Sequence, residues 1–94
     1  MTTKKWLPAE EWQRVKLQAR QELKQRAFRR ENGRCFYCDR PLIYHHATMD
    51  HIKPKSQGGK LEIGNIVIAC FKCNNRRGDY PADIFLILMM TGGV

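Results

Sequence analysis

Apolar residues recur every three or four positions from Trp12 through Val15, Ala19 and Leu23 to Ala27. That spacing is one face of an amphipathic helix. Pro8 with Glu10 and Glu11 marks its start, since proline suits the first turn and carboxylates suit the positive end of the dipole. Gly33 is a natural terminator. Residues 42–52 bring together Leu42, Ile43, Tyr44, Thr48 and Ile52, which predicts a strand ending near Asp50-His51-Ile52. Residues 53–64 carry Pro54, Ser56 and the Gly58-Gly59 pair, the punctuation of a loop. Ile66, Val67 and Ile68 read as a short buried strand leading into Cys70. A helix is expected from about Cys73-Asn74-Asn75 to Gly78. Asp79, Tyr80 and Pro81 then open a last helix whose Ile84, Phe85 and Leu88 face the core. The chain has no internal repeat, low-complexity tract or linker. The pattern predicts one α+β domain over residues 1–94, with a basic N-terminal helix (1–33), a core (34–79) and a C-terminal helix (80–94).

Charge adds a partner class. Lys and Arg total 17 against 9 Asp and Glu, a formal net charge of +8. Residues 1–40 hold 11 basic and 5 acidic side chains, and residues 41–94 hold 6 and 4, so the N-terminal segment carries most of the field. Such an excess favours a polyanion, although acidic proteins and membrane surfaces also attract it. Arg14, Lys16, Arg20, Lys24 and Arg26 lie largely off the apolar stripe. Arg29, Arg30 and Arg34 gather at the helix end, where dipole complementation on a solvated face competes with phosphate contact as their role. The longest apolar run, residues 84–90, spans only about two helical turns, which excludes a membrane span there. The N-terminus shows no apolar signal region, so an intracellular protein is expected.

The cysteines form two pairs, Cys35-x-x-Cys38 and Cys70-x-x-Cys73, separated by 31 residues (70 − 38 − 1). Two such knuckles set four thiolates around one tetrahedral zinc ion, and a site with no open position is structural. Disulfides suit exported proteins, and a redox CxxC needs a βαβ setting that is missing here.

Between and beyond the knuckles run MDHIKPKSQGGKLEIGN and IVIACFKCNNRRGD. Asp50-His51 at a strand end, Pro54, Ser56 and Gly58-Gly59 in the loop, Asn65 opening the next strand and Asn74 at a helix start resemble the HNH endonuclease family. The intervals 65 − 51 = 14 and 74 − 51 = 23 agree, as does the four-cysteine frame, and the resemblance covers residues 23–88. It implies a small ββα-metal domain whose core is a zinc-stapled pair of strands and a helix, flanked by the N- and C-terminal helices. The third motif position, often histidine, is Asn74 here, an H-N-N version, with Asn75 left open as a substitute second ligand.

The residues suit the chemistry this implies. Phosphodiester hydrolysis needs an activated water and an electrophile for the developing negative charge. His51, with an ordinary pKa of about 6.5, can take a proton from water near neutral pH. Asp50 projects from the opposite face of the strand, so its carboxylate can serve a cation without quenching His51. Asn74 would complete an oxygen cradle suited to Mg²⁺ or Mn²⁺. Asn65 is expected to tie the loop to the strand and orient His51. Lys53, Lys55, Lys60, Lys72, Arg76 and Arg77 surround the site and read as phosphate contacts, which position nucleic acid without reading its sequence. His45 and His46 are expected to be partly exposed and outside the motif. For Tyr37, Tyr44 and Phe71, packing competes with base stacking.

The reading is a zinc-stabilised, Mg²⁺- or Mn²⁺-dependent endonuclease that nicks DNA as a monomer or weak dimer, with RNA left open as the polymer. By the resemblance it would leave a 3′-hydroxyl and a 5′-phosphate. Two rivals stand beside it. One is a non-catalytic zinc-knuckle module that binds nucleic acid. The other is a phage packaging accessory active beside a terminase-like partner. Trp6, Leu7 and residues 87–90 fit either core or interface.

Overall fold

A computed structural model describes residues 7–93. Its elements are α1 (Ala9–Arg30), β1 (Thr48–His51), β2 (Ile66–Ala69), α2 (Phe71–Arg77) and α3 (Ala82–Thr91), with single 3₁₀ turns at Tyr44–His46, Lys55–Gln57 and Ile63–Asn65. The fold class is α+β, as the hydrophobic pattern predicts. Trp6 and the ends of the 1–94 assignment lie outside the described residues.

The two strands pair antiparallel, with Thr48 opposite Ala69, Met49 opposite Ile68, Asp50 opposite Val67 and His51 opposite Ile66. Because side chains alternate along a strand, this register sorts them onto two faces. Val67 and Ala69 join Cys35, Tyr37, Cys70, Cys73, Ala82 and Phe85 in one core, which also receives Ile52, Leu86 and Met89. Ile66 and Ile68 join Ala27 and Ala47 in a second core, with Leu23, Phe28, Met49 and Ile63 packed on it. β2 is buried on both faces, and β1 lends Asp50 to the first side and His51 to the second.

Helix α1 crosses the second face with only its C-terminal half. Ala27 is buried and Leu23 partly so, whereas Val15, Leu17 and Ala19 are exposed. The predicted apolar stripe is therefore real only over its last two turns, and the molecule extends over 50 Å. The last turn of α1 closes the outer edge of β2. Glu31 accepts a hydrogen bond from the Ile68 amide (2.9 Å), and Arg30 donates to the carbonyls of Ile63 (2.9 Å) and Ile66. The Phe36 amide donates to the Ile68 carbonyl at 2.8 Å. An open strand edge would leave these groups unpaired. Arg30 and Arg34, whose side chain reaches the Asp39 carbonyl at 3.0 Å, thus serve backbone carbonyls. The chain leaves α1 through Asn32 and Gly33, both at positive φ.

The strand predicted to end near Asp50-His51-Ile52 is Thr48–His51, and before it Tyr44 to His46 coil into a 3₁₀ turn that sets Tyr44 edge-on to Phe28 at 5.2 Å. Two other elements differ from expectation. Helix α2 begins at Phe71, before Cys73, because the Cys70 sulfur accepts from the Cys73 amide and caps the first turn. Helix α3 buries Ala82 and Phe85 with Leu86 and Met89 against them, whereas Ile84 faces solvent. Among the described residues no helix is long and apolar enough to cross a membrane.

Candidate functional site

The first knuckle is a tight turn. The Cys35 amide donates to the Arg40 carbonyl (2.8 Å), the Asp39 amide to the Cys35 carbonyl (2.9 Å), and Asp39 takes φ 63°. The turn directs the Tyr37 and Cys38 amides at the Cys35 sulfur, 3.4 and 3.5 Å away. The second knuckle repeats this with the Cys73 amide 3.4 Å from the Cys70 sulfur. All four sulfurs lie within 4.8 Å of one another, and those of Cys38 and Cys70 are 3.9 Å apart. Zinc–sulfur bonds of about 2.3 Å set tetrahedral sulfurs about 3.8 Å apart, so the cluster suits such an ion. Burial pushes the Cys35 and Cys73 thiols up. Burial also acts on Cys70, but hydrogen bonds from Cys73 and the neighbouring thiols bring it below the ordinary range. An ion bound here displaces protons from the two raised thiols.

The second site opens where β1 ends. A cavity of about 290 Å³ is lined by Asp50, His51, Pro54, Lys55, Ser56, Arg77, Gly78 and Asp79. Asp50 and His51 leave opposite faces of the strand, yet both line this cavity. The Nε2 of His51 is buried and has no hydrogen-bond partner. Burial lowers the His51 pKa below its ordinary value, and the nearby charge of Lys55 lowers it further. The imidazole is therefore neutral at physiological pH and able to accept a proton.

Asp50 is 8% exposed and held from two sides. Its Oδ2 accepts from the Tyr37 hydroxyl at 2.8 Å, and its Oδ1 is ion-paired with Arg77. Burial and the adjoining carboxylate raise the Tyr37 pKa, so the phenol stays a donor at neutral pH. Each carboxylate oxygen keeps a further lone pair. Asp50 thus fits as one ligand of an oxygen-seeking cation in the cavity, with the Arg77 charge as a competitor beside it.

Arg77 requires a correction. Expected as a phosphate contact, its side chain is instead 2% exposed. Its guanidinium pairs with Asp50 and donates to the carbonyls of Ile52 (3.0 Å) and Tyr80, joining α2 to the residue that follows His51. At position 77 the 3.6-residue period returns the side chain to the face already buried by Cys73. Lys72 and Arg76 are exposed on the same helix, and Lys55 lines the cavity. Phe71 is 66% exposed, so it does not pack in the knuckle. Asn74 is half-buried in the first turns of α2 and is not among the residues lining the cavity, and Asn75 is exposed.

Asn65 fastens the intervening loop. Its Oδ1 accepts from the Lys53 amide (2.9 Å), and its Nδ2 donates to the carbonyls of Lys60 (2.8 Å) and Lys53 (3.3 Å). Its own carbonyl accepts from the Ile52 amide at 2.7 Å. Gly59 fits beneath this knot only because it lacks a Cβ, which would lie 1.7 Å from the Lys53 carbonyl oxygen. Gly59→Ala is expected to destabilise the fold by on the order of 1–3 kcal/mol and to displace the loop behind His51. Urea denaturation compared with wild type measures this, and an unchanged midpoint would count against the packing.

Ser56 and Asp79 are cavity residues that sequence reasoning missed. Ser56 was read as a loop residue of the motif, without a place in the site, and Asp79, read as a helix opener, lines the cavity beside Gly78. Tyr37 was also missed as a partner of Asp50, because nothing in its spacing links it to a residue 13 positions away.

Residues 35–80 match the family model described as HNH endonuclease. Two curated relatives carry similar segments, both named CRISPR-associated endonuclease Cas9. The protein from Corynebacterium diphtheriae is 37% identical over 57 residues, 60% of this chain. The one from Actinomyces naeslundii is 35% identical over 52 residues, 54% of this chain. The matched segment is 5% of the length of each relative. The matched span holds both knuckles, the Asp50-His51 strand end, Asn65 and Asn74. Over residues 35–80, the chain is similar to the HNH endonuclease family.

Proposed function

We propose that the chain is a metal-dependent endonuclease that hydrolyses DNA phosphodiester bonds, with His51 as general base. The observation that carries this is the His51 imidazole lining one open cavity together with the carboxylate of Asp50. His51 takes the proton of the attacking water. Asp50 holds the divalent cation, with Asn74 as the partner ligand that its motif position supplies. When bound, Mg²⁺ or Mn²⁺ stabilises the charge that develops on the phosphoryl and leaving oxygens. Asn65 fixes the backbone on either side of the loop and thereby the direction of His51. Lys53, Lys55, Lys60, Lys72 and Arg76 hold the phosphate backbone, which gives binding that weakens with salt and little sequence preference. The tetrathiolate carries a structural zinc ion. One such site per chain cuts one strand per encounter, so a supercoiled plasmid is converted to relaxed circles before linear product forms.

The test is incubation of supercoiled plasmid with Mg²⁺, Mn²⁺ or EDTA, with single-stranded RNA as a parallel substrate. Metal-dependent relaxation supports the reading, and salt-sensitive binding without cleavage under either metal would replace it with a non-catalytic binding module.

The pH dependence has a fixed sign. Protonation of His51 removes the base, so the rate falls as pH drops through the His51 pKa, which lies below 6.5. Burial is the larger cause of that depression and Lys55 the next. Lys55→Gln is therefore expected to move the acid limb of the pH–rate profile to higher pH. A limb that stays in place would show that some other group titrates.

A further inference from the structure

We propose that Tyr37 is a positioning residue that fixes the Asp50 carboxylate from within the first cysteine knuckle, making the tetrathiolate and the cation ligand one mechanical unit. This rests on the reading of Asp50 as the ligand of the divalent cation.

Tyr37 touches both centres. Its backbone amide lies 3.4 Å from the Cys35 sulfur, and its hydroxyl lies 2.8 Å from Asp50 Oδ2. Between these ends the ring is clamped edge-on against Phe36 (5.3 Å, 82°) and Phe85 (5.0 Å, 82°). The residue is buried, and its hydroxyl donates to Asp50. Phenylalanine would fill the same space, so the hydroxyl is explained by what it holds. A buried phenol needs an acceptor, and a carboxylate gives the stronger, charge-assisted bond.

The two groups that hold Asp50 act differently toward a cation. Arg77 brings a positive charge to the same carboxylate and opposes a dication. Tyr37 is neutral, so it orients the carboxylate without opposing the ion. Loss of the hydroxyl removes orientation and leaves the opposing charge in place, which weakens cation binding. Outer-shell partners of this kind are worth roughly 10–100-fold in metal affinity.

The experiment uses the full chain with Co²⁺ in the tetrathiolate, whose absorption reports the knuckles, and measures Mn²⁺ binding by electron paramagnetic resonance. Tyr37→Phe is expected to keep the tetrathiolate spectrum while its Mn²⁺ Kd rises by about 10–100-fold. Phe36→Leu, which disturbs the same aromatic stack but keeps the hydroxyl, is expected to bind Mn²⁺ like wild type. A Tyr37→Phe Kd equal to or tighter than wild type overturns the proposal, and so does an equal weakening in Phe36→Leu. Asp50→Asn separates this inference from the functional reading beneath it. If that variant binds Mn²⁺ normally, the ligand assignment fails. If it alone loses the ion while Tyr37→Phe keeps it, only the role of Tyr37 fails.

Discussion

Removing the ion from the tetrathiolate is expected to unfold the chain. The core on that side of the sheet is small: of its eight buried residues three are cysteines, two are alanines, and only Tyr37, Val67 and Phe85 bring large side chains. Burying a large apolar side chain contributes roughly 1.5–3 kcal/mol. Structural zinc in small domains contributes an apparent 10–16 kcal/mol, as much as the whole stability of a typical domain. Loss of the ion also leaves two buried sulfurs whose thiols burial pushes up, so they return as packed thiols that no longer bind the knuckles to each other. α2 depends on the same centre, because its N-cap is the Cys70 sulfur. Acid acts in the same direction: protons compete with the metal for the thiolates, and the stability carried by the ion is lost as pH falls. A strong chelator with a reductant should abolish the cooperative thermal transition seen by circular dichroism, and re-addition of Zn²⁺ should restore it. A transition at the same temperature after verified metal removal would show that the apolar core suffices.

What could be read from the sequence was whatever repeats at short range. The two CxxC pairs fix their own local geometry, so four scattered positions could be joined into one cluster before any coordinates. The run of Ile66, Val67 and Ile68 is short and apolar on both faces, and it could only be a buried strand. The loop chemistry of Gly58-Gly59 and Asn65 was legible for the same reason: turns are written locally. The failures lie where a side chain's fate is set by partners distant in sequence. Val15 and Ala19 have the helical period, but among the described residues nothing covers them. Arg77 reads as one more cation in a basic run, and only the approach of α2 to β1 makes it a buried partner of Asp50 and Ile52. Glu31 and Arg30 look like helix-end charges until β2 lies alongside with open carbonyls and amides. Tyr37 seals a site whose other half comes from a different element.

His51→Ala is expected to lower the cleavage rate by about 10²–10⁴-fold at saturating metal, the range a positioned general base supplies, while leaving the fold and DNA affinity close to wild type. The imbalance follows from the surroundings of the imidazole. Its Nε2 makes no hydrogen bond, so truncation breaks none there and removes a buried, unsatisfied nitrogen. The backbone around it is held by Asn65, Arg77 and the pairing with Ile66, none of which uses the His51 side chain. The proposed phosphate contacts are lysines and arginines at other positions, so binding and its salt dependence should persist. The loss therefore belongs in the turnover number, with KM nearly constant, because the proton is taken only as the transition state forms. Plasmid relaxation in Mg²⁺ and Mn²⁺, fluorescence anisotropy on a short duplex and a thermal melt separate the three quantities. Turnover equal to wild type in a folded His51→Ala protein would mean that the water is activated elsewhere. Loss of cleavage and binding together would mean that His51 supports the surface rather than the reaction.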